Sequence, residues 1–299
     1  MLKYFVVNTP KRIDKLLAEE FPDYSRHYFQ ELIDSGLVIC NGKRVKKKEV
    51  PAIGDQIQIH FSSPPEITLT AEDIPLEILY EDETIILVNK PVGMVVHPAP
   101  GHYQGTFVNA LLHHCPSLPS QDVRPGIVHR LDKETSGVLL AAKTSAAHQK
   151  LTEAFSSRAI EKEYLAITVG TPPAEFVDAP IGRHPKKRKE MTVLTEGRHA
   201  LTHFEVLESR GGFSLVKAKP VTGRTHQIRV HLKSLKTPIL GDFLYGSEKL
   251  SRKMGVDRAL LHAYRLTFSH PFSGKKMVVT APFPQDFEKW TSFFSKNLD

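Results

Sequence analysis

One stretch of this sequence gathers charged side chains at the point where the chain enters a buried strand. Gly126 to Thr144 reads GIVHRLDKETSGVLLAAKT. It sets His129, Arg130, Asp132, Lys133 and Glu134 between two apolar runs, Gly126-Ile127-Val128 before and Val138-Leu139-Leu140-Ala141-Ala142 after. The second run has the length and composition of a buried strand, and Ser136-Gly137 makes a turn leading into it. Asp132 is thus expected on a loop at the edge of the core, where a carboxylate can work beside a cation with little water. Composition alone favours a plainer use, a turn cap or a loop ion pair, since most Asp and Arg do no chemistry.

The rest of the composition narrows the chemistry. Forty Lys and Arg against 33 Asp and Glu give a net charge of +7 over 299 residues, which suits a partner that carries phosphates. Hydrophobic residues make up 40%, enough for a packed core. Cys40 and Cys115 stand far apart with no CxxC, so neither a disulfide framework nor a thiolate metal site is indicated. His97 and His102 have no carboxylate and third ligand at metal spacing, so no metal site is expected. There is no P-loop, dinucleotide fingerprint or GxSxG elbow, and no cofactor is expected. No apolar run approaches a membrane span and the first residues lack a signal-peptide core, so the expectation is a soluble, cytoplasmic protein, read as a monomer.

The elements that must carry these residues fall into two groups. In the first, Ile13, Leu16, Leu17 and Phe21 share one helical face, ended by Pro22. A second helix begins after Ser25 as N-cap, carries Tyr28, Phe29, Leu32 and Ile33, and meets Gly36 at its end. Leu37 to Cys40, the Asn41-Gly42 turn, a return strand from Lys43 and a strand from Gln56 to Phe61 add a small sheet. Arg12, Lys15, Arg26, Lys43, Arg44, Lys46, Lys47 and Lys48 concentrate positive charge on this module and are candidates for a phosphate-facing surface. The proline pair in Ser62 to Glu66 breaks all periodicity and marks a linker.

The second group opens with a hairpin of Ile78 to Tyr80 and Ile85 to Val88, then a helix capped by Thr106. After the central motif come a helix from Ser145 to Ser156 and a half-buried strand from Glu161 to Val169, with Lys162 and Tyr164 on one face. Arg183, Lys186, Lys187, Arg188 and Lys189 form the densest basic run, expected in an exposed loop that grips phosphates. A hairpin about Arg210-Gly211-Gly212 precedes Arg224, His226, Gln227 and Arg229, which open a helix with Thr225 as a possible N-cap. Two strands about a Pro271 to Gly274 turn close the chain.

Several of these stretches together resemble a known family. RIDKLLAEEF, SRHYFQELIDSG and VICNG resemble the S4 RNA-binding domain. GIVHRLDKETSG, KEYLAITVG, GRTHQIRVHL and PILGDFLYG resemble, in order, motifs of the RNA pseudouridine synthases of the ribosomal large subunit family. The resemblance implies an α+β chain: an S4 domain over 1–61, a linker over 62–72, and over 73–299 a catalytic domain on a mostly antiparallel mixed sheet. It implies isomerisation of uridine to pseudouridine, in large-subunit ribosomal RNA, without metal or cofactor. Asp132 would be the catalytic carboxylate, Arg229 its partner, Tyr164 the ring stacked on the target base, and Arg130 the side chain that fills the space of a flipped base. His129, Lys162, Arg183, Lys186, Lys187, Arg188, Arg224, His226 and Gln227 would contact RNA. Whether Asp132 attacks sugar or base, or takes a sugar proton, stays open. The alternative is a non-catalytic RNA-binding or ribosome-assembly factor that keeps the fold as a scaffold.

Overall fold

A computed structural model describes residues 2–22, 24, 26–62, 69–98, 104–118, 125–187 and 189–295. The chain divides into two compact units, Met1–Thr68 and Leu69–Asp299. Ser25, His102, Arg188 and most of the expected linker lie outside the described residues.

The first unit starts with a strand that the sequence reading did not anticipate, β1 (Leu2–Val6), followed by α1 (Ile13–Glu20), α2 (Arg26–Asp34), β2 (Val38–Cys40), β3 (Lys43–Arg44) and β4 (Gln56–His60). β1 pairs antiparallel with β4, giving a sheet of order β1-β4-β2-β3. Leu2, Tyr4 and Val6 stay exposed, so β1 shows little of the burial that makes a strand legible. Ile13, Leu17, Phe29, Leu32, Val38, Ile57 and Ile59 fill the space between the helix pair and the sheet. Asp14 is buried on α1 and takes hydrogen bonds from Arg12 (3.0 Å), Arg26 (2.6 Å) and Gln30 (2.7 Å). Burial pushes its carboxyl up, but these three donors outweigh it and hold Asp14 below the ordinary carboxylate range.

The second unit begins at Leu69, ahead of the expected Asp73, because Leu69 and Leu76 already pack on its core and Asn109 Nδ2 donates to Thr70 O at 2.8 Å. Its elements are β5 (Ile78–Glu81), β6 (Ile85–Lys90), α3 (Phe107–His114), β7 (Ser136–Ala142), α4 (Ser145–Ser156), β8 (Glu161–Val169), β9 (Phe176–Asp178), β10 (Ile181–Arg183), β11 (Met191–Val193), β12 (Leu201–Arg210), β13 (Phe213–Pro220), α5 (Gln227–Ser234), α6 (Glu248–Lys253), β14 (Leu261–Ser269), β15 (Lys276–Thr280) and α7 (Gln285–Ser295). The main sheet runs β5-β6-β7-β14-β8-β13-β12-β9, with β15 beside the end of β14. Its pairs are antiparallel except β7 with β14, so the sheet is mixed and mostly antiparallel.

That one parallel junction is short and close. β7 and β14 pair only at His262↔Ser136 and Ala263↔Gly137. Gly137 has φ +112°, and a Cβ there would stand 2.2 Å from the Ala263 carbonyl oxygen, so no other residue fits. β14 then leaves β7 and pairs with β15 instead. The loop before β7 therefore opens at the middle of the sheet rather than at its rim, beside the strand β8 that pairs with β14 on its other side.

Helix ends follow local chemistry where side chains are available. Thr106 caps α3 in a reciprocal box with Asn109, and Thr144 caps α4 through Ala147 N. α5 departs from expectation. Its first turn is preceded by His226 in the left-handed region (φ 56°) with no side-chain cap, so Thr225 does not cap it. Here a pocket-lining residue takes a strained backbone in place of a local cap.

Candidate active site

The Asp132 loop is fixed from three directions. Lys90, fully buried at the end of β6, donates from Nζ to the carbonyls of Pro91 (2.7 Å), Met94 (3.0 Å) and Lys133 (3.3 Å). Burial lowers the Lys90 ammonium to about 7, against the pull of the Asp132 charge. On the far side, Arg258 Nη1 donates to Glu134 O at 3.1 Å while Asp286 holds its Nε and Nη2. From within, His129 Nε2 accepts the Leu140 N–H at 2.9 Å, and its ring stacks on Phe155 with centroids 4.7 Å apart. Burial pushes the His129 imidazole down to about 3, so it is the neutral ring that accepts. His129 thus ties the loop to β7 through its Nε2.

Asp132 leaves this frame half-buried, with a quarter of its side chain exposed, and its Oδ2 accepts from Arg229 Nη1 at 3.1 Å. Arg229 comes from α5 and is itself gripped by Asp242, which accepts Nε at 2.7 Å and Nη2 at 2.9 Å. Asp242 has no exposed surface, and its Oδ1 also takes the N–H groups of Leu244 and Tyr245, both at 3.1 Å. The Tyr245 ring lies 5.0 Å from the Arg229 guanidinium carbon. Burial disfavours the Arg229 charge, yet the two carboxylates more than reverse this and hold it firmly protonated. Asp242 was missed from the sequence as a site residue. The signal was present in PILGDFLYG, where Gly241 (φ +83°) turns the chain and the next residue is an aspartate.

Tyr164 stands on β8 between the small residues Ala263 of β14 and Ala218 of β13, which leave room on its face of the sheet. Burial first, and the Asp132 charge second, push its phenol well above the ordinary range, so it stays a neutral hydroxyl. Asp132, Tyr164 and Arg229 border one cleft of about 1100 Å³, which Arg130, Lys162, Lys189, Arg224 and His226 also line. Lys162, two residues before Tyr164 on the same face, is half-buried, and burial lowers its ammonium.

Other expected contacts are placed differently. Gln227 is buried, accepting from Thr222 Oγ1 (2.7 Å) and Arg224 N (3.0 Å) and donating to Leu201 O (3.0 Å) and Thr202 Oγ1 (2.9 Å). It stitches α5 to β12 and has no group left for RNA. Arg183 ends β10, and Lys186 and Lys187 lie exposed in the segment that joins it to β11, in keeping with the expected loop. Lys187 is partly neutralised by Glu190 at 2.8 Å. In the first unit Lys15, Lys43, Arg44, Lys46 and Lys48 are exposed, while Lys47 pairs with Asp34 and Arg12 and Arg26 clasp Asp14.

Glu81, His114 and Cys115 bring ligand atoms within 4.8 Å of one another. The Lys143 ammonium already sits 2.7 Å from Glu81, and burial pushes the Cys115 thiol up, away from the thiolate a metal needs. The donor set suits a salt-bridge cluster. Among the described residues no helix is long and apolar enough to cross a membrane.

Comparison with known proteins agrees with the two-part fold. Residues 84–234 match the RNA pseudouridylate synthase family and residues 11–57 the S4 domain. Over 291 residues the chain is 42% identical to an uncharacterised RNA pseudouridine synthase of Bacillus subtilis (strain 168), covering 96% of this chain and 95% of that one. Over 289 residues it is 44% identical to the ribosomal large subunit pseudouridine synthase D of Escherichia coli (strain K12), covering 92% and 88%. The solved structure of human RNA pseudouridylate synthase domain containing 4 is similar with a TM-score of 0.58 and 28% identity, over 73% of this chain and 93% of that one. A mixed sheet carrying this cleft, with an S4 module ahead of it, therefore places the chain in the RNA pseudouridine synthase family, as an isomerase of uridine in RNA.

Proposed function

We propose that the chain converts uridines of large-subunit (23S) ribosomal RNA to pseudouridine, with Asp132 as the catalytic carboxylate. The observation that carries this is the meeting of Asp132, Arg229 and Tyr164 in one cleft lined with cations. The reaction breaks the glycosidic N1–C1′ bond, turns the base and joins C5 to C1′. Arg229 supplies the countercharge a carboxylate needs in a cleft that closes on substrate. Asp132 then acts on the ribose or the base, or removes a sugar proton; the geometry is compatible with each route. Tyr164, neutral and beside the carboxylate, stacks against the base while it turns.

A uridine inside a stacked helix must be extruded first, at a cost of a few kcal/mol. Arg130 fills the space the base leaves, a role supported by its exposure on the cleft that Asp132 also lines. Lys162, Arg183, Lys186, Lys187 and Arg224, with the S4 module over 1–61, hold the RNA backbone, while loop shape selects the uridine. This work needs no second copy of the chain and belongs in the cytoplasm, where ribosomal RNA is found. The relative named for the ribosomal large subunit supports that substrate class.

The test is tritium release from large-subunit ribosomal RNA labelled at uridine C5, with wild type against Asp132→Asn. Release by wild type alone is expected. An Asp132→Asn protein with full activity would overturn the mechanism, and release from transfer RNA alone would overturn the substrate.

A further inference from the structure

His226 lines the cleft with no chemical task assigned to it so far. Its Nδ1 lies 2.8 Å from the Tyr245 hydroxyl, and the two rings meet edge to face at 5.6 Å and 76°. The residue holds a left-handed backbone, φ 56°, which side chains other than Gly adopt at a cost and which recurs at functional sites.

Tyr245 decides which nitrogen of this ring carries the proton. Its oxygen already accepts the Met191 N–H at 2.8 Å, and the side chain is buried. A phenol has one proton to donate, and among the described residues His226 Nδ1 is the acceptor in reach. Donation in that direction satisfies a buried O–H; the reverse would leave it unpartnered. Nδ1 therefore accepts, and a neutral His226 carries its hydrogen on Nε2. Burial lowers the His226 pKa; the Asp132 charge pushes it back up and Arg229 pushes it down. Nε2 has no acceptor among the described residues. The result is an oriented N–H donor without a protein partner, on the cleft that holds Asp132.

We propose that His226 is a further catalytic residue, whose Nε2–H donates a hydrogen bond to a carbonyl oxygen of the extruded uracil, O2 or O4. When N1–C1′ breaks, its electron pair leaves with the ring, and the negative charge spreads over N1, O2 and O4. After the base turns, C5 bonds to C1′ and loses its proton while N1 gains one, so the product has the atoms of the substrate and no co-reactant is needed. A donor fixed in advance by Tyr245 stabilises the ring at the moment it carries charge. Every route open to Asp132 detaches the base, so the role is independent of which is taken.

The inference rests on the Asp132 reading, and its test separates the two. Once the modified uridine is mapped, ligated RNA carries uridine, 2-thiouridine or 4-thiouridine there, and single-turnover rates and KM are measured for wild type, His226→Asn and His226→Gln. Asn tolerates the left-handed backbone and can accept from Tyr245, but offers no donor at the Nε2 position. We expect His226→Asn to slow uridine roughly 10- to 100-fold with KM little changed, and His226→Gln, whose amide extends further, to recover part of that loss. One thio substitution should slow wild type more than it slows His226→Asn, and that one identifies O2 or O4. Equal thio effects in both proteins overturn the proposal, as does a His226→Asn defect confined to KM, which would mark a backbone contact. Failure of the Asp132 reading shows separately, as turnover by Asp132→Asn.

Discussion

Two aspartates of this chain, Asp14 and Asp132, each meet an arginine, and the contrast between them separates an enclosed ion pair from one open to a cleft. Asp14 has no exposed surface and takes three side chains, two of them guanidinium groups. Asp132 takes one, at 3.1 Å, and keeps a quarter of its side chain open to a cleft. In the second unit the tight clasp is present but displaced by one residue along the network: Asp242 is the enclosed carboxylate that fixes Arg229, and Arg229 offers its remaining nitrogen to Asp132. The lesson is that the enclosed carboxylate orients the cation, so the open one can keep its position with a single bond.

The largest effect expected from this contrast is on rate. Asp132→Asn should lower turnover by roughly four orders of magnitude or more, as removal of a central catalytic group does, with a thermal midpoint unchanged or higher. A Asp132→Asn protein that unfolds early would show that the carboxylate is a structural clasp like Asp14, and would erase the distinction.

Asp242→Ala should act on both properties. It leaves Arg229 buried with one partner, and breaking a buried pair costs about 3–5 kcal/mol of stability. Turnover should fall as well, since Arg229 loses the two bonds that orient it. Asp14→Ala should cost less, about 1–3 kcal/mol, because Arg12 and Arg26 are partly exposed and can turn to water. Its loss should appear as early melting of the S4 unit and weaker RNA binding. Denaturant unfolding followed by hydrogen exchange in each unit distinguishes the two outcomes.

Much of this was readable beforehand, for reasons that differ by residue. Helices α1 to α5 announced themselves through regular apolar spacing, with Thr106 as a cap, and most strands of the main sheet through short apolar runs. Asp132, Tyr164 and Arg229 came from resemblance to family motifs, since nothing in their spacing says that they share a cleft. The direction of polar side chains was not legible. Gln227 and His129 both line the cleft, yet Gln227 spends its amide on partners such as Leu201 O and His129 accepts the Leu140 N–H, contacts that only the folded sheet brings near. Asp242 went unassigned because its partner lies one helix away. β1 and α7 were missed for a simpler reason: β1 is largely exposed, and α7 buries few of its residues.

The smallest effect expected concerns acid, and it sets the two units apart. In the second unit, burial lowers the imidazoles of His129 to about 3 and His262 to about 4. A histidine whose folded pKa is depressed stabilises the fold fully above its unfolded value, near 6.5, and loses that contribution as pH falls toward the folded value, because the unfolded chain takes the proton first. In the first unit Asp14 is lowered from an ordinary value of 3.8, so its contribution persists down to about that pH and is lost only below it. Between pH 6.5 and 4 the synthase unit should therefore soften through these two histidines while the Asp14 clasp holds. Hydrogen exchange read unit by unit across that range should show protection falling in β7 and β14, the strands tied by His129 and His262, and little loss in α1. His262→Gln should flatten the slope by up to one proton, a readout that does not depend on whether the variant is less stable at neutral pH. Equal softening of both units over this range would mean that the enclosed carboxylate is no better shielded from protons than the buried imidazoles, and would remove the electrostatic basis of the contrast.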